Sequence, residues 1–134
     1  MDLAQTYSAT IAALGALAFL MFYQVLVADV IGLRSKHAPG SQVPSDHKNP
    51  LFRASRTVAN TNESIAIFIV AVLFCMYSGA SATATGYSAW AFVIARLLYA
   101  VCYYSNWHLP RSVMFGVSLV ALAALLVSGF SVWI

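Results

Sequence analysis

The stretch Arg53-Ala-Ser-Arg56-Thr-Val-Ala-Asn60-Thr-Asn-Glu63 runs without a break into the apolar Ser64-Ile-Ala-Ile-Phe-Ile-Val-Ala-Val-Leu-Phe74. On a helix, at about 100° per residue, Arg53, Arg56, Asn60 and Glu63 fall within an arc of roughly 80° and climb about 15 Å along the axis. Two cations, an amide and a carboxylate thus form one polar ladder entering a hydrophobic span. Such groups are unfavourable in hydrocarbon unless they face protein, water or a polar ligand. The ladder therefore reads as the wall of a binding site at one membrane face.

Composition agrees with a membrane setting. Of 134 residues, 61% are hydrophobic and only 8% are charged, where a soluble domain carries about 25% charged residues. The mean hydropathy is +0.80. The chain has room for four apolar helices and one polar loop, so the expected architecture is all-α: an integral membrane four-helix bundle in a single domain. So small a bundle has little interior of its own, which predicts an oligomer. The net charge of +3 and pI near 9.1 do not indicate nucleic acid, because the basic residues hug span ends instead of forming a soluble patch. Cys75 and Cys102 lie inside apolar runs and read as small core residues, not as a disulfide framework.

Hydrophobic runs predict spans over about 8–33, 57–78, 87–104 and 111–133. The first lacks a basic leader and is too long for a signal-peptide core, so it reads as a retained helix. Asp29, near its far end, is expected to pair with a cation or reach the interface. Residues 34–49 are the sustained polar segment, and Pro39, Gly40 and Pro44 make it a loop. Asn49-Pro50 is a helix start, an N-cap followed by proline at the first helical position. The helix from there to Tyr77 would be roughly 42 Å long, more than a hydrocarbon core needs, so its first two turns should project from the membrane. Residues 79–86 and 105–110 read as short turns.

Lys and Arg set the orientation. Arg34, Lys36, Lys48, Arg53 and Arg56 sit in or beside the long loop, and Arg111 closes the 105–110 turn. The other turn and both termini carry none, so both basic connections are expected in the cytoplasm and both termini outside.

The third span holds Arg96-Leu-Leu-Tyr99-Ala-Val-Cys-Tyr103. Spacings of three and four put Arg96, Tyr99 and Tyr103 within about 60° of one another. Arg96 lies some 12 Å inside the cytoplasmic end, a depth at which an arginine costs about 2.5–3.5 kcal/mol. Glu63 enters from the same side to a comparable depth and is its expected counter-ion, with Asp29 as second choice. A structural ion pair needs one or two such residues. Here Arg53, Arg56, Asn60, Glu63, Arg96, Tyr99, Tyr103 and Arg111 all gather at one end, as a polar, anionic ligand would require.

The pattern Arg56-x3-Asn60-x2-Glu63 opening span two, Arg96-x2-Tyr99-x3-Tyr103 in span three and Arg111-Ser112 opening span four resembles the MAPEG family, the membrane-associated proteins in eicosanoid and glutathione metabolism. The likeness covers the four-span layout and so essentially the whole chain. It implies a homotrimer with a glutathione site between neighbouring subunits on the cytoplasmic side. By this resemblance Arg56, Asn60, Glu63, Tyr99 and Tyr103 would hold the tripeptide, with Glu63 taking its amino or amide end. Arg34, Arg53 and Arg96 join the candidate set. Arg111 matches the arginine credited with stabilising the glutathione thiolate, and Ser112 the serine beside it. The chemistry is sound, since a guanidinium at a helix N-terminus favours the nucleophilic thiolate over the thiol. A site open to the bilayer would admit a hydrophobic or lipid-derived substrate directly.

The sequence also departs from that pattern. Ala66 replaces a proline found three residues after the glutamate, Ala59 an additional arginine, and Phe115 a tyrosine near the reacting centre. Two function classes follow: a glutathione-dependent enzyme that conjugates hydrophobic electrophiles or reduces lipid hydroperoxides, or a non-catalytic lipid-binding or accessory subunit of the same fold. An ion conductor fits less well, because the spans carry no repeated ionisable relay. His37 and His47 share a loop without cysteine, so no metal is expected, and His108 beside Trp107 reads as an interfacial turn residue.

Overall fold

The computed structural model describes residues 2–134. A single turn, α1 (Leu3–Thr6), precedes four long helices: α2 (Ser8–Arg34), α3 (Pro50–Ser78), α4 (Ala82–Tyr104) and α5 (His108–Phe130). All four are long and apolar enough to cross a membrane. No strand occurs among the described residues.

Local chemistry sets each boundary. The Asn49 side chain accepts from the Leu51 amide at 2.9 Å, and Pro50 takes the first helical position, where its missing N–H is not needed. At the far end Gly79 adopts φ 73°, and the Ala80 amide reaches back to the Cys75 carbonyl at 3.0 Å. That is a left-handed helix stop, which glycine adopts without strain. Ser81 then caps α4 by accepting from Ala84. The turn expected over 79–86 therefore shrinks to Gly79–Ser81, because the following alanines and threonines already have a cap. The 105–110 turn contracts as well. Asn106 (φ 59°) ends α4, and α5 starts at His108 with Pro110 inside its first turn, a position proline tolerates. This earlier start places His108 on the same helix as Arg111.

The core is built for close approach. Phe68 of α3 and Phe92 of α4 stack with ring centroids 4.4 Å apart, surrounded by Ala13, Leu17, Val72, Ala89 and Leu125, all buried. Lipid tails are as apolar as leucine, so packing and small residues hold such helices together. Tyr7 ties the α1–α2 junction to the α3–α4 turn through its hydroxyl, which donates to the Ala80 carbonyl at 2.6 Å. At Gly129 a Cβ would lie 2.5 Å from the Phe74 ring, so α5 needs glycine to approach α3. Gly129→Ala is expected to destabilise the bundle by about 1–3 kcal/mol through overpacking, read as a lower midpoint in detergent unfolding.

The outer faces are apolar, with Phe19, Val70, Val120 and Val127 all well exposed. Tyr77, Tyr87 and Trp133 ring the end holding the short α3–α4 turn, as amphipathic aromatics do at a membrane interface. The long loop, the α4–α5 connection and the basic residues occupy the opposite end.

Candidate functional site: a basic and aromatic cleft at the loop end

Arg96 is the deepest charge in the molecule, with 0% of its surface exposed. Its Nη2 donates to Asn60 Oδ1 at 2.9 Å across the α3–α4 interface, and its Cζ lies 4.8 Å from the centroid of the Tyr99 ring. Nε and Nη1 have no partner among the described residues. The expected ion pair with Glu63 does not form. Glu63 is exposed and acts on Arg96 only through space.

Helix geometry explains the difference. The buried stripe of α3 runs through Ala54, Thr57, Thr61 and Phe68. Asn60 lies about 60° from Thr57 around the helix, whereas Arg56 and Glu63 lie about 100° and 120° away. The polar ladder thus climbs the edge of the buried face, and only Asn60 reaches inward far enough to meet Arg96. Thr57 and Thr61 satisfy themselves by donating to the carbonyls of Arg53 (2.9 Å) and Thr57 (3.1 Å). With its oxygen held by Arg96, the Asn60 amide has its two N–H donors free.

Asn60, Tyr99, Arg111, Ser112 and Phe115 line a cleft of about 200 Å³ between α3, α4 and α5. Tyr103 stands behind it, 5.4 Å from Tyr99 between ring centroids, and carries the Arg111 guanidinium on its face at 4.4 Å. Arg56 is half-buried, and its charge, with those of Arg96 and Arg111, reaches Tyr99. Arg111 sits in the first turn of α5, where the helix dipole adds to its positive field. The Ser112 hydroxyl donates to the His108 carbonyl at 3.2 Å, so toward a ligand it presents lone pairs. To donate to a bound anion it must first give up that backbone bond.

Two candidate residues lie elsewhere. Arg53 turns away from the cleft, and its Nη1 donates to the carbonyls of His47 (2.7 Å) and Lys48 (3.1 Å). Arg34 is exposed in the last turn of α2, away from the residues that line the cleft. Conversely, sequence reasoning set aside His47 and His108, yet the His108 Nδ1 lies 3.4 Å from Arg111 Nη2. The i to i+3 spacing of His108 and Arg111 carries that signal once the helix is known to begin at His108.

A larger cavity, about 510 Å³, lies between the end of α2, the loop and α3, and its lining includes Asp29, His37, Ser41 and Ser55. Asp29 is exposed on this groove near the end of α2. The groove gathers one carboxylate and no Lys or Arg. It does not suit an anion, and the smaller basic cleft does.

Four helices long and apolar enough to span a membrane, with a basic, aromatic cleft at one end, define a class: an integral membrane helical bundle. The MAPEG family profile matches residues 10–131, and the chain belongs to the MAPEG family, whose members act in glutathione-related or eicosanoid metabolism. No curated protein matches the chain.

Proposed function

We propose that the protein is a glutathione-dependent membrane enzyme that conjugates glutathione to hydrophobic electrophiles or reduces lipid hydroperoxides. The carrying observation is the meeting of Asn60, Tyr99, Arg111 and Ser112 around one cleft, backed by the buried Arg96 and Tyr103. Asn60 N–H groups and the Tyr99 hydroxyl bind the tripeptide's carboxylate and amide oxygens, and Arg56 adds charge at the rim. Arg111 faces the thiol. Its guanidinium and the α5 dipole lower the free energy of the thiolate, the form that attacks. In conjugation the thiolate lone pair forms the C–S bond and the leaving group departs with the bonding electrons. In peroxide reduction it attacks one peroxide oxygen, the O–O bond breaks and the alkoxide takes up a proton, and the glutathione sulfenic acid left behind condenses with a second glutathione to give the disulfide and water.

The cleft is small beside ligand pockets of roughly 300–1,000 Å³, so this reading includes a homotrimer in which a neighbouring subunit closes the site. Arg34 and Glu63, both exposed and outside the lining of the chain's own cleft, would act across that contact, with Glu63 taking the amino end. The loop end faces the cytoplasm, by the distribution of Lys and Arg. A second reading, a non-catalytic lipid-binding or accessory member of the family, is favoured by Phe115. It lines the cleft on α5 where a phenol would supply a proton, and offers none.

The two readings differ in whether the thiol binds. At about 100 times its dissociation constant, glutathione is expected to add roughly 2.7 kcal/mol of apparent stability to the detergent-purified protein. Arg56→Ala should remove that shift while leaving the unliganded midpoint in place. A wild-type protein whose midpoint ignores millimolar glutathione, with its oligomer intact, would move the assignment to the accessory reading.

A further inference from the structure

The polar loop is connected to Arg111 through two imidazoles. Arg53 Nη1 donates to the His47 carbonyl at 2.7 Å and holds the end of the loop against α3. The His47 ring then packs edge-on to Phe52 (centroids 5.1 Å apart), tilts toward Tyr103 (6.1 Å) and meets His108 edge-on (5.6 Å). His108 in turn places Nδ1 at 3.4 Å from Arg111 Nη2, while Tyr103 lies under the guanidinium face at 4.4 Å. A guanidinium has donors only. In this contact, therefore, Nδ1 carries the lone pair and the proton of neutral His108 sits on Nε2.

We propose that His108 is a positioning residue for Arg111, with His47 bracing it from the loop. The proposal rests on the role given to Arg111 above. A free arginine samples many rotamers; a ring beneath its face and an acceptor at its edge leave it one arrangement, aimed into the cleft. The acceptor exists only while His108 is neutral. His108 contacts Arg111 on its own helix and His47 on the loop, and both of these meet Tyr103 of α4.

Two substitutions separate this role from a merely structural one. His108→Phe keeps the ring and removes the acceptor; His108→Asn keeps a short acceptor. The first should lower kcat/KM for conjugation about tenfold, with KM for glutathione changed less than about twofold, as expected for lost orientation. It should also shift the ultraviolet thiolate titration of bound glutathione to higher pH. His108→Asn should recover most of both effects. Equal impairment in the two variants, or none in either, overturns the proposal. A readout independent of glutathione keeps it separate from the assigned function: ¹⁵N chemical shifts of labelled histidine. Wild type should show the Nε2–H tautomer at His108, and Arg111→Ala a mixture. If wild type binds no glutathione, that comparison alone decides, and an unchanged tautomer in Arg111→Ala rejects the positioning role.

Discussion

Replacing Arg111 with alanine is expected to lower kcat/KM for thiol conjugation roughly a hundred- to a thousandfold, the usual loss when a preorganised charge at the reacting atom is removed. The protein should otherwise survive. Arg111 is half-buried in the first turn of α5, rests on one tyrosine ring and contacts one histidine, so no core contact depends on it. The binding constant for glutathione should change far less than turnover, because the thiolate is stabilised more than the bound thiol. Arg56→Ala should behave in the opposite way, weakening binding with little effect on the rate once the site is filled. Calorimetric binding beside steady-state kinetics on both variants separates the two roles. Turnover unchanged in Arg111→Ala would remove that residue from the chemistry and return attention to the accessory reading.

The second large effect belongs to Asn60. Arg96 is wholly buried, and among the described residues its only hydrogen bond runs to Asn60 Oδ1. Asn60→Leu would leave a buried guanidinium with no partner, a change of the kind that costs about 3–5 kcal/mol. It should show as a large loss in unfolding free energy, measured by denaturing-detergent titration in micelles or bicelles. Arg96→Leu should do much less to stability, because an apolar side chain of moderate size removes the charge along with its unmet need for partners. The double variant should recover most of the loss, since the two residues form one unit. Arg96→Leu should nonetheless weaken glutathione binding, because the Asn60 amide is then free to rotate. Normal glutathione binding in Arg96→Leu would remove Arg96 from the site. Equal destabilisation by both single variants would mean that the guanidinium contributes by packing alone.

Much of this molecule is legible in its sequence, for a physical reason. In a bilayer every backbone polar group must be satisfied within the segment, so long apolar runs admit one solution, the helix. Asn49-Pro50 and Gly79 mark helix ends because their chemistry is local, confined to a few consecutive residues. The placement of Tyr99, Tyr103, Asn60 and Arg111 at one end follows from rise per residue and the order of the spans. So does the depth of Arg96.

What the sequence by itself could not decide is which way neighbouring polar side chains turn. Asn60 and Glu63 lie about 60° apart on one helix, and both are polar and near Arg96 in depth. Only the packing of α3 on α4 selects the amide as partner and leaves the carboxylate exposed. Arg53 and Arg56 share the ladder, yet tertiary structure sends one to the loop carbonyls and keeps the other beside the cleft. His47 and His108 are 61 residues apart in the chain, and their meeting at 5.6 Å depends on how the loop folds back over α4 and α5. Periodicity fixes positions along and around one helix. Which of two candidates makes a contact is settled between helices, where burying an unpartnered charge is the larger energy and the packing that avoids it prevails.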